Sequence, residues 1–400
     1  MNTSATKNKG LMVTILSISF LLMLRLTISP ALAEIGKAFP DVSQEALMNM
    51  VSLASLVAIP FGFLAGVLAN RFRTRTLLFV GLALYIVGGL GPMLTSDFTV
   101  ILVCRALLGA GTGIFLPYAA GLIADFYTGQ ARDVMLGYQS TAVALGNIIT
   151  AILAGVLATF SWRLSFLIYA FAIVTLVLVV LKLPEPQRTQ PSGKQESGFN
   201  RGVVTVCVLI FFYAVIYFAI FGYLSFVVDS HQLGDAASTG LATMIMTVMS
   251  MVSGVLFARI IGLLRNFSAF VALLLNAVGF FLLSIATDMS LIFAGAAFIG
   301  LGFGLLMPYG TMKVTDAAPK SAATFANGLY MTFVNLGTAA SPTILVTIGS
   351  VFGNPDGQFI YRVCAIVLVV AAVIAVGVAF VVSQRKPGTM PASSDKPAAA

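Results

Sequence analysis

Apolar stretches of about 20 residues, the length at which an α-helix crosses a hydrocarbon core about 30 Å thick, recur along the whole 400-residue chain. They fall at 11–33, 45–69, 76–95, 98–121, 134–158 and 164–183, then at 202–227, 237–258, 268–287, 290–311, 325–350 and 360–383. Inside lipid, each backbone N–H and C=O must be paired within its own segment, so spans of this kind fold as helices. Composition agrees: 59% of residues are hydrophobic, 9% are charged, and the mean hydropathy is +1.02. A soluble chain of this size has too little polar surface to cover so much apolar matter. The expected fold is an all-α membrane protein of twelve helices in two six-helix halves. The halves are 1–183 and 202–383, joined by a Pro- and Gly-bearing cytoplasmic linker at 184–201 and followed by a disordered tail at 384–400.

The net charge of +8 does not point to nucleic acid, because its distribution follows the loops. With the N-terminus in the cytoplasm, 17 of the 22 Lys and Arg fall on one side of the bilayer. Lys37, Arg163 and Arg362 fall on the other, and Arg25 and Arg105 lie within helices. This bias places both termini in the cytoplasm of a multi-pass inner-membrane protein. Ala31-Leu32-Ala33 imitates a signal-peptidase site, but the run before it carries Arg25 and many spans follow, so it reads as a retained first helix. Cys104, Cys207 and Cys364 lie in apolar helices without a pairing or metal-binding pattern. No cofactor or metal is implied.

The two halves are copies. Gly109-Ala-Gly-Thr-Gly-Ile-Phe-Leu-Pro-Tyr118 returns as Gly300-Leu-Gly-Phe-Gly-Leu-Leu-Met-Pro-Tyr309, 191 positions later. At the same offset, Gly137, Thr141, Val143, Leu145 and Gly146 align with Gly328, Thr332, Val334, Leu336 and Gly337. Because six helices intervene, the copies share one orientation about an axis along the membrane normal, the plan of a transporter working about a central site. The glycines suit close helix packing. They are not a phosphate loop, which needs a strand–loop–helix context and a Lys followed by Ser or Thr. Pro117 and Pro308 are expected to kink the fourth and tenth helices.

At these residues the chain resembles the major facilitator superfamily over essentially all of 11–383. The loop after the second helix, Gly66-Val-Leu-Ala-Asn70-Arg71-Phe-Arg73-Thr-Arg75, is similar to the signature Gly-x-Leu-Ala-Asp-Arg-x-Gly-Arg, with Asn70 where Asp is usual and Arg73 where Gly is usual. In that family this loop latches the halves on the cytoplasmic side in the outward-open state, which makes Gly66, Asn70, Arg71 and Arg75 the latch candidates. Leu102-Val-Cys-Arg105-Ala-Leu-Leu-Gly109 is similar to the Arg-bearing motif of twelve-helix drug/proton antiporters. Gly146-Asn147-Ile-Ile-Thr-Ala151 lacks the Pro of their helix-five motif.

A charge at the centre of a membrane helix costs about 2.5–3.5 kcal/mol or more, so each needs a reason. All 14 Asp and Glu fall in loops or at helix ends, leaving Arg25 and Arg105 alone inside. At 1.5 Å per residue Arg25 lies roughly 12 Å, and Arg105 roughly 10 Å, from the same face. Helices one and four both line the central cavity in the family, so the two cations would make it electropositive. Arg keeps its proton at any accessible pH. Two readings fit: the guanidiniums hold a carboxylate or phosphate of the substrate, or they bond helix carbonyls and fix the fold. Further substrate-binding candidates are Tyr213 and Tyr217, one turn apart in an aromatic helix seven, and the intramembrane amides Asn49, Gln139, Asn276 and Asn335. Asn147 belongs to the same set of amides. Helix eight carries four methionines, Met244, Met246, Met249 and Met251, but their spacing spreads them around it. Proton coupling has candidates in Glu34, Asp125 and Asp229, and in Arg105 through the resemblance. His231 is a lone loop histidine.

These features predict a secondary transporter of a small organic molecule, working as a monomer and coupled to protons in the direction of efflux. The alternative is an importer or exchanger of organic anions through Arg25 and Arg105. One His in 400 residues and no clustered nucleophile or metal set argue against an enzyme.

Overall fold

The computed structural model describes residues 9–69, 71–186, 200–264, 267–319 and 322–384. Asn70, the greater part of the expected linker and all but the first residue of the expected tail lie outside the described residues. Twelve helical spans run through it: α1 (Lys9–Ala38), α2 (Gln44–Leu68), α3 (Thr74–Leu94), α4 (Phe98–Phe126), α5 (Gln130–Phe160) and α6 (Trp162–Lys182). They are followed by α7 (Arg201–Ser230), α8 (Ala236–Leu264), α9 (Ser268–Ser284), α10 (Met289–Ala317), α11 (Ala323–Val351) and α12 (Gly357–Gln384). Eleven are long and apolar enough to cross a membrane, while α9, at 17 residues, is shorter. No strand occurs among the described residues. With an even number of spans, the start of α1 and the end of α12 share one face, here the terminal face; the opposite one is the distal face.

Several starts are fixed by side chains that accept the orphan N–H groups of a first turn. Asp97 caps α4 at Thr99 N (2.7 Å) and Asp288 caps α10 at Ser290 N (2.8 Å). Ser43 caps α2 and Asn200 caps α7. At the head of α8, Ser238 donates from its backbone N (2.8 Å) and its Oγ (2.7 Å) to Asp235. Those bonds hold the Asp235 carboxyl below the usual carboxylate range. A depressed carboxyl of this kind contributes stability above its unfolded pKa and loses it as pH falls through its folded pKa. Glu185 caps α3 from beyond the end of α6, accepting from Thr74 N at 2.6 Å.

The repeated glycines are where the helices touch. A methyl group on Gly109 or Gly113 would run into the α2 backbone at Ala54 and Ala58, and one on Gly111 into α3 at Gly81 and Tyr85. In the second copy, Gly300 and Gly304 press on α8 at Met246 and Ser250, and Gly302 presses on α9 at Ala272 and Asn276. Two further pairs keep the 191-residue offset: Gly88 and Gly279 against the following helix, and Gly146 and Gly337 against the carbonyls of Phe20 and Phe211. The duplicated pattern is thus a packing code that sets helix order inside each half. Pro117 and Pro308 both lie inside their helices.

Between the halves, α5 packs on α8, α2 on α11, and α1 on α7. The α1–α7 contacts join residues 192 positions apart: Ser29 Oγ donates to Phe221 O, Ala33 N to Ser225 Oγ (2.9 Å) and Lys37 Nζ to Asp229 Oδ1 (2.5 Å). That separation is one more than the 191-residue repeat, so each residue meets the immediate neighbour of its own counterpart. The α1–α7 contact therefore lies on the pseudo-twofold axis, on its distal side.

Candidate functional site

The first helix does not wind evenly. Between Leu21 and Leu26, and again at Ser29–Ala31, α1 tightens into 3₁₀ turns, a departure often seen where a helix is bent for a purpose. Arg25 sits in the first of these turns. Its carbonyl accepts Nη2 of Arg105 at 2.6 Å, so the two cations do lie at one depth.

Their surroundings differ. Arg105 is fully buried and has three acceptors: Met50 O of α2 (2.8 Å), Tyr169 Oη of α6 (2.6 Å) and Arg25 O of α1. Tyr169 in turn donates to Leu24 O (3.2 Å) and lies under the guanidinium, 5.6 Å from the ring centroid. Arg105 is a bracket joining α1, α2, α4 and α6 inside the first half. The expectation that both guanidiniums line one cavity is corrected on this point, since Arg105 has no exposed surface.

Arg25 points the other way. Its Nη2 donates to Asn335 Oδ1 at 3.0 Å, crossing to α11 of the second half, while its Nε is buried without an acceptor. A second cross-half bond at mid-membrane joins Asn147 of α5 to Thr247 of α8, Nδ2 to Oγ1, at 2.6 Å. Asn335, Asn147 and Thr247 are all half-buried. The structure therefore places two polar pairs, Arg25–Asn335 and Asn147–Thr247, where the halves meet.

Other candidates are placed elsewhere. Asn276 is fully buried in α9, donating to Ala272 O (2.8 Å) and accepting from Tyr213 Oη (3.2 Å). Its amide is occupied inside the second half. Tyr213 is buried beside it and stacks on Tyr217, whose ring lies 4.2 Å from that of Phe303. Tyr217 is half-buried and donates weakly to Met246 Sδ. Asn49 is half-buried and bonds Ser52, and Gln139 is half-buried in the terminal part of α5.

Of the coupling candidates, Glu34 and Asp229 are brought together by Lys37, which reaches both at 2.9 and 2.5 Å on the distal face. Sequence reasoning did not single out Lys37 as their partner. Asp125 is exposed near the terminal end of α4. His231 stands 3.9 Å from Asp356 on the distal side of the second half. Of the latch candidates, Gly66 has open space around it and Arg71 is exposed. Arg75 is bonded within its own half, to Val180 O.

Cross-half contacts are thus concentrated at mid-membrane and on the distal side, where Glu45 also accepts from Thr343 at 2.7 Å. There Gly155 and Gly240 seat α5 and α8 directly on each other's backbone. Toward the terminal face the packing loosens. A methyl group on Gly66, Gly121, Gly137, Gly262 or Gly328 would meet nothing within 4 Å. A cleft of about 500 Å³ opens along α10 and α11, lined by Met307, Thr311, Thr315, Asp316 and Met331 among others.

The sequence profile of the Major Facilitator Superfamily matches residues 14–342, and again 265–399. The chain belongs to the major facilitator superfamily. It is 26% identical over 370 residues to Multidrug resistance protein 1 of Bacillus subtilis (strain 168), covering 88% of this chain and 90% of that one. It is 24% identical to Quinolone resistance protein NorA of Staphylococcus aureus (strain COL), covering 74% and 78%. Among solved structures, a peptide transporter POT in complex with sulfate superposes with a TM-score of 0.76 at 16% identity, covering 94% of this chain and 95% of that one. A D-xylose-proton symporter gives 0.73 at 18% identity, covering 93% and 97%. These likenesses show the fold of the superfamily, and the chain is a multi-pass membrane transporter, not an enzyme.

Proposed function

We propose that this transporter exports small organic molecules across the cytoplasmic membrane by alternating access, driven by protons entering in exchange. The observation that carries the reading is the kinship with two drug-resistance proteins over most of the chain. The half-and-half architecture supports the alternating part. Two units that touch along the distal side and loosen toward the terminal face can rock about their mid-membrane contacts. The excess of Lys and Arg at sequence positions expected on the terminal side supports a cytoplasmic terminal face. In this conformation the pathway then faces inward, ready to take up cargo for export, with Arg75 of the latch bonded inside its own half.

The halves are 1–183 and 202–383, and the working unit is one chain. For the proton, the distal acids Glu34 and Asp229 are the best placed, since Lys37 pairs with Glu34 of its own helix and with Asp229 across the axis. Protonating Asp229 removes the charge that clips α7 to Lys37 of α1, and protonating Glu34 leaves Lys37 to Asp229 alone. Reconstituted into liposomes, the protein is expected to move a fluorescent cationic drug such as ethidium when a pH gradient is imposed, and to stop when an ionophore collapses it. Ethidium flux that ignores the gradient would overturn proton-driven efflux.

A further inference from the structure

Arg25 and Arg105 share a depth and a hydrogen bond, yet only one of them is provided for. Arg105 has two carbonyls and a phenol around its guanidinium. Arg25, 92% buried by its 8% exposure, makes one side-chain hydrogen bond among the described residues, to a neutral amide, and its Nε–H has no acceptor. Among the described residues no carboxylate pairs with it. The ion pairs among the described residues are those of Lys37 and His231, all on the distal face. A buried cation without a counter-charge is unfavourable, and a helix facing lipid or packing would be more stable with an apolar residue there. The fold nevertheless holds this guanidinium in place. The 3₁₀ turn at Leu21–Leu26 sets its direction, and Arg105 clamps its backbone carbonyl. Its partner Asn335, on α11 of the other half, is half-buried, so the pair spans the meeting of the halves. The Nδ2 of Asn335 has no acceptor of its own among the described residues.

We propose that Arg25 and Asn335 form an anion subsite, and that the cargo carries a carboxylate or comparable oxyanion which supplies the missing counter-charge. The anionic oxygens accept from the Arg25 guanidinium, a planar fork suited to two parallel bonds, and from Asn335 Nδ2. One ligand group then bridges α1 of the first half and α11 of the second, replacing the direct Arg25–Asn335 bond. Arg105 is a positioning residue for this site, acting through the carbonyl of Arg25. The inference deepens the transport reading and rests on it. A cation without an acid, such as ethidium, is carried with this subsite unfilled, held by aromatic side chains of the second half such as Tyr217 and Phe303.

The test compares aromatic acids with their own methyl esters, which keep the ring and remove the charge. Benzoate, 2-naphthoate and indole-3-acetate, each beside its ester, are titrated into the full detergent-purified chain, with affinity read from the rise in unfolding temperature. Wild type is expected to prefer at least one acid over its ester by about tenfold or more, the worth of one charge-assisted bond. Arg25→Gln should bring each pair within about threefold. Arg25→Lys should keep a reduced preference, because the charge remains and the fork is lost. Asn335→Ala should keep the preference while weakening binding, which a purely structural Arg25 would not produce. No preference in wild type, or a preference that survives Arg25→Gln in a variant that unfolds at the wild-type temperature, overturns the subsite. Flux of the same compounds in proteoliposomes separates the two claims. Transport of acids and esters alike discards the anion subsite alone, whereas no flux of these compounds or of ethidium discards the transport reading.

Discussion

Arg105 is a structural cation, and its chemistry explains why the fold tolerates it. Each of its three partners is a group already inside the first half, so the charge is solvated by protein dipoles. Arg105→Gln strands those acceptors and loosens α1, and is expected to lower stability by about 2–4 kcal/mol, seen as a fall in the detergent unfolding temperature. Arg25→Gln removes an uncompensated charge and should leave that temperature unchanged or raise it. Equal losses from both variants would contradict the contrast drawn between them. The presence of two intramembrane cations at one depth was legible in the sequence, because charge within an apolar run stands out. Their different roles were not. The acceptors of Arg105 are mainly backbone carbonyls, at Met50 and at Arg25 itself, and every residue type carries one. Tyr169 is one of many aromatics, with no spacing that marks it. The packed setting of Asn276 was illegible for the same reason: an amide within a span signals an interior position, but not whether that interior is packed or hollow.

Among the helices, the legible part was length and spacing. Apolar runs bounded by charges gave the twelve spans to within a few residues, and α7, read at 202–227, extends to Arg201–Ser230. The largest shifts are in α8, read as ending at 258 but continuing to Leu264, and in α10, read as ending at 311 but continuing to Ala317. The first helix, α1, read as ending at 33, continues to Ala38, because Glu34 and Lys37 lie on a final turn that reaches the distal face. The 3₁₀ turns of α1 left no mark in its sequence, since Leu, Met and Arg suit an ordinary helix equally well. What the repeat conveyed was contact. Gly302 faces Ala272 and Asn276 with no room for a methyl, so Gly302→Ala is expected to cost about 1–3 kcal/mol by overpacking. Gly328, in the middle of a helical turn of α11 with open space beside it, should accept Ala at no cost or with a gain of up to about 1 kcal/mol. Thermal unfolding of the two variants measures both. A tolerated Gly302→Ala would break the link between the duplicated pattern and helix packing.

For the whole molecule, the deciding feature is that the halves touch on one side of the membrane. Contacts between residues 192 apart place α1 and α7 on the pseudo-twofold axis, where a small rotation of one half opens one face and closes the other. No single segment of sequence carries that arrangement, because it arises from how two similar units meet. The Lys37–Asp229 pair that crosses between the halves is half-exposed and worth about 0–1 kcal/mol, so it biases the distal contact without locking it. Ala33 and Ser225 meet at its centre, 2.9 Å apart from N to Oγ, and the native cysteines Cys104, Cys207 and Cys364 are buried away from oxidant. The most direct test is therefore flux through the double variant Ala33→Cys with Ser225→Cys, before and after oxidation. Alternating access predicts that the disulfide stops transport and that reduction restores it, while unchanged flux with the bond fully formed would contradict it.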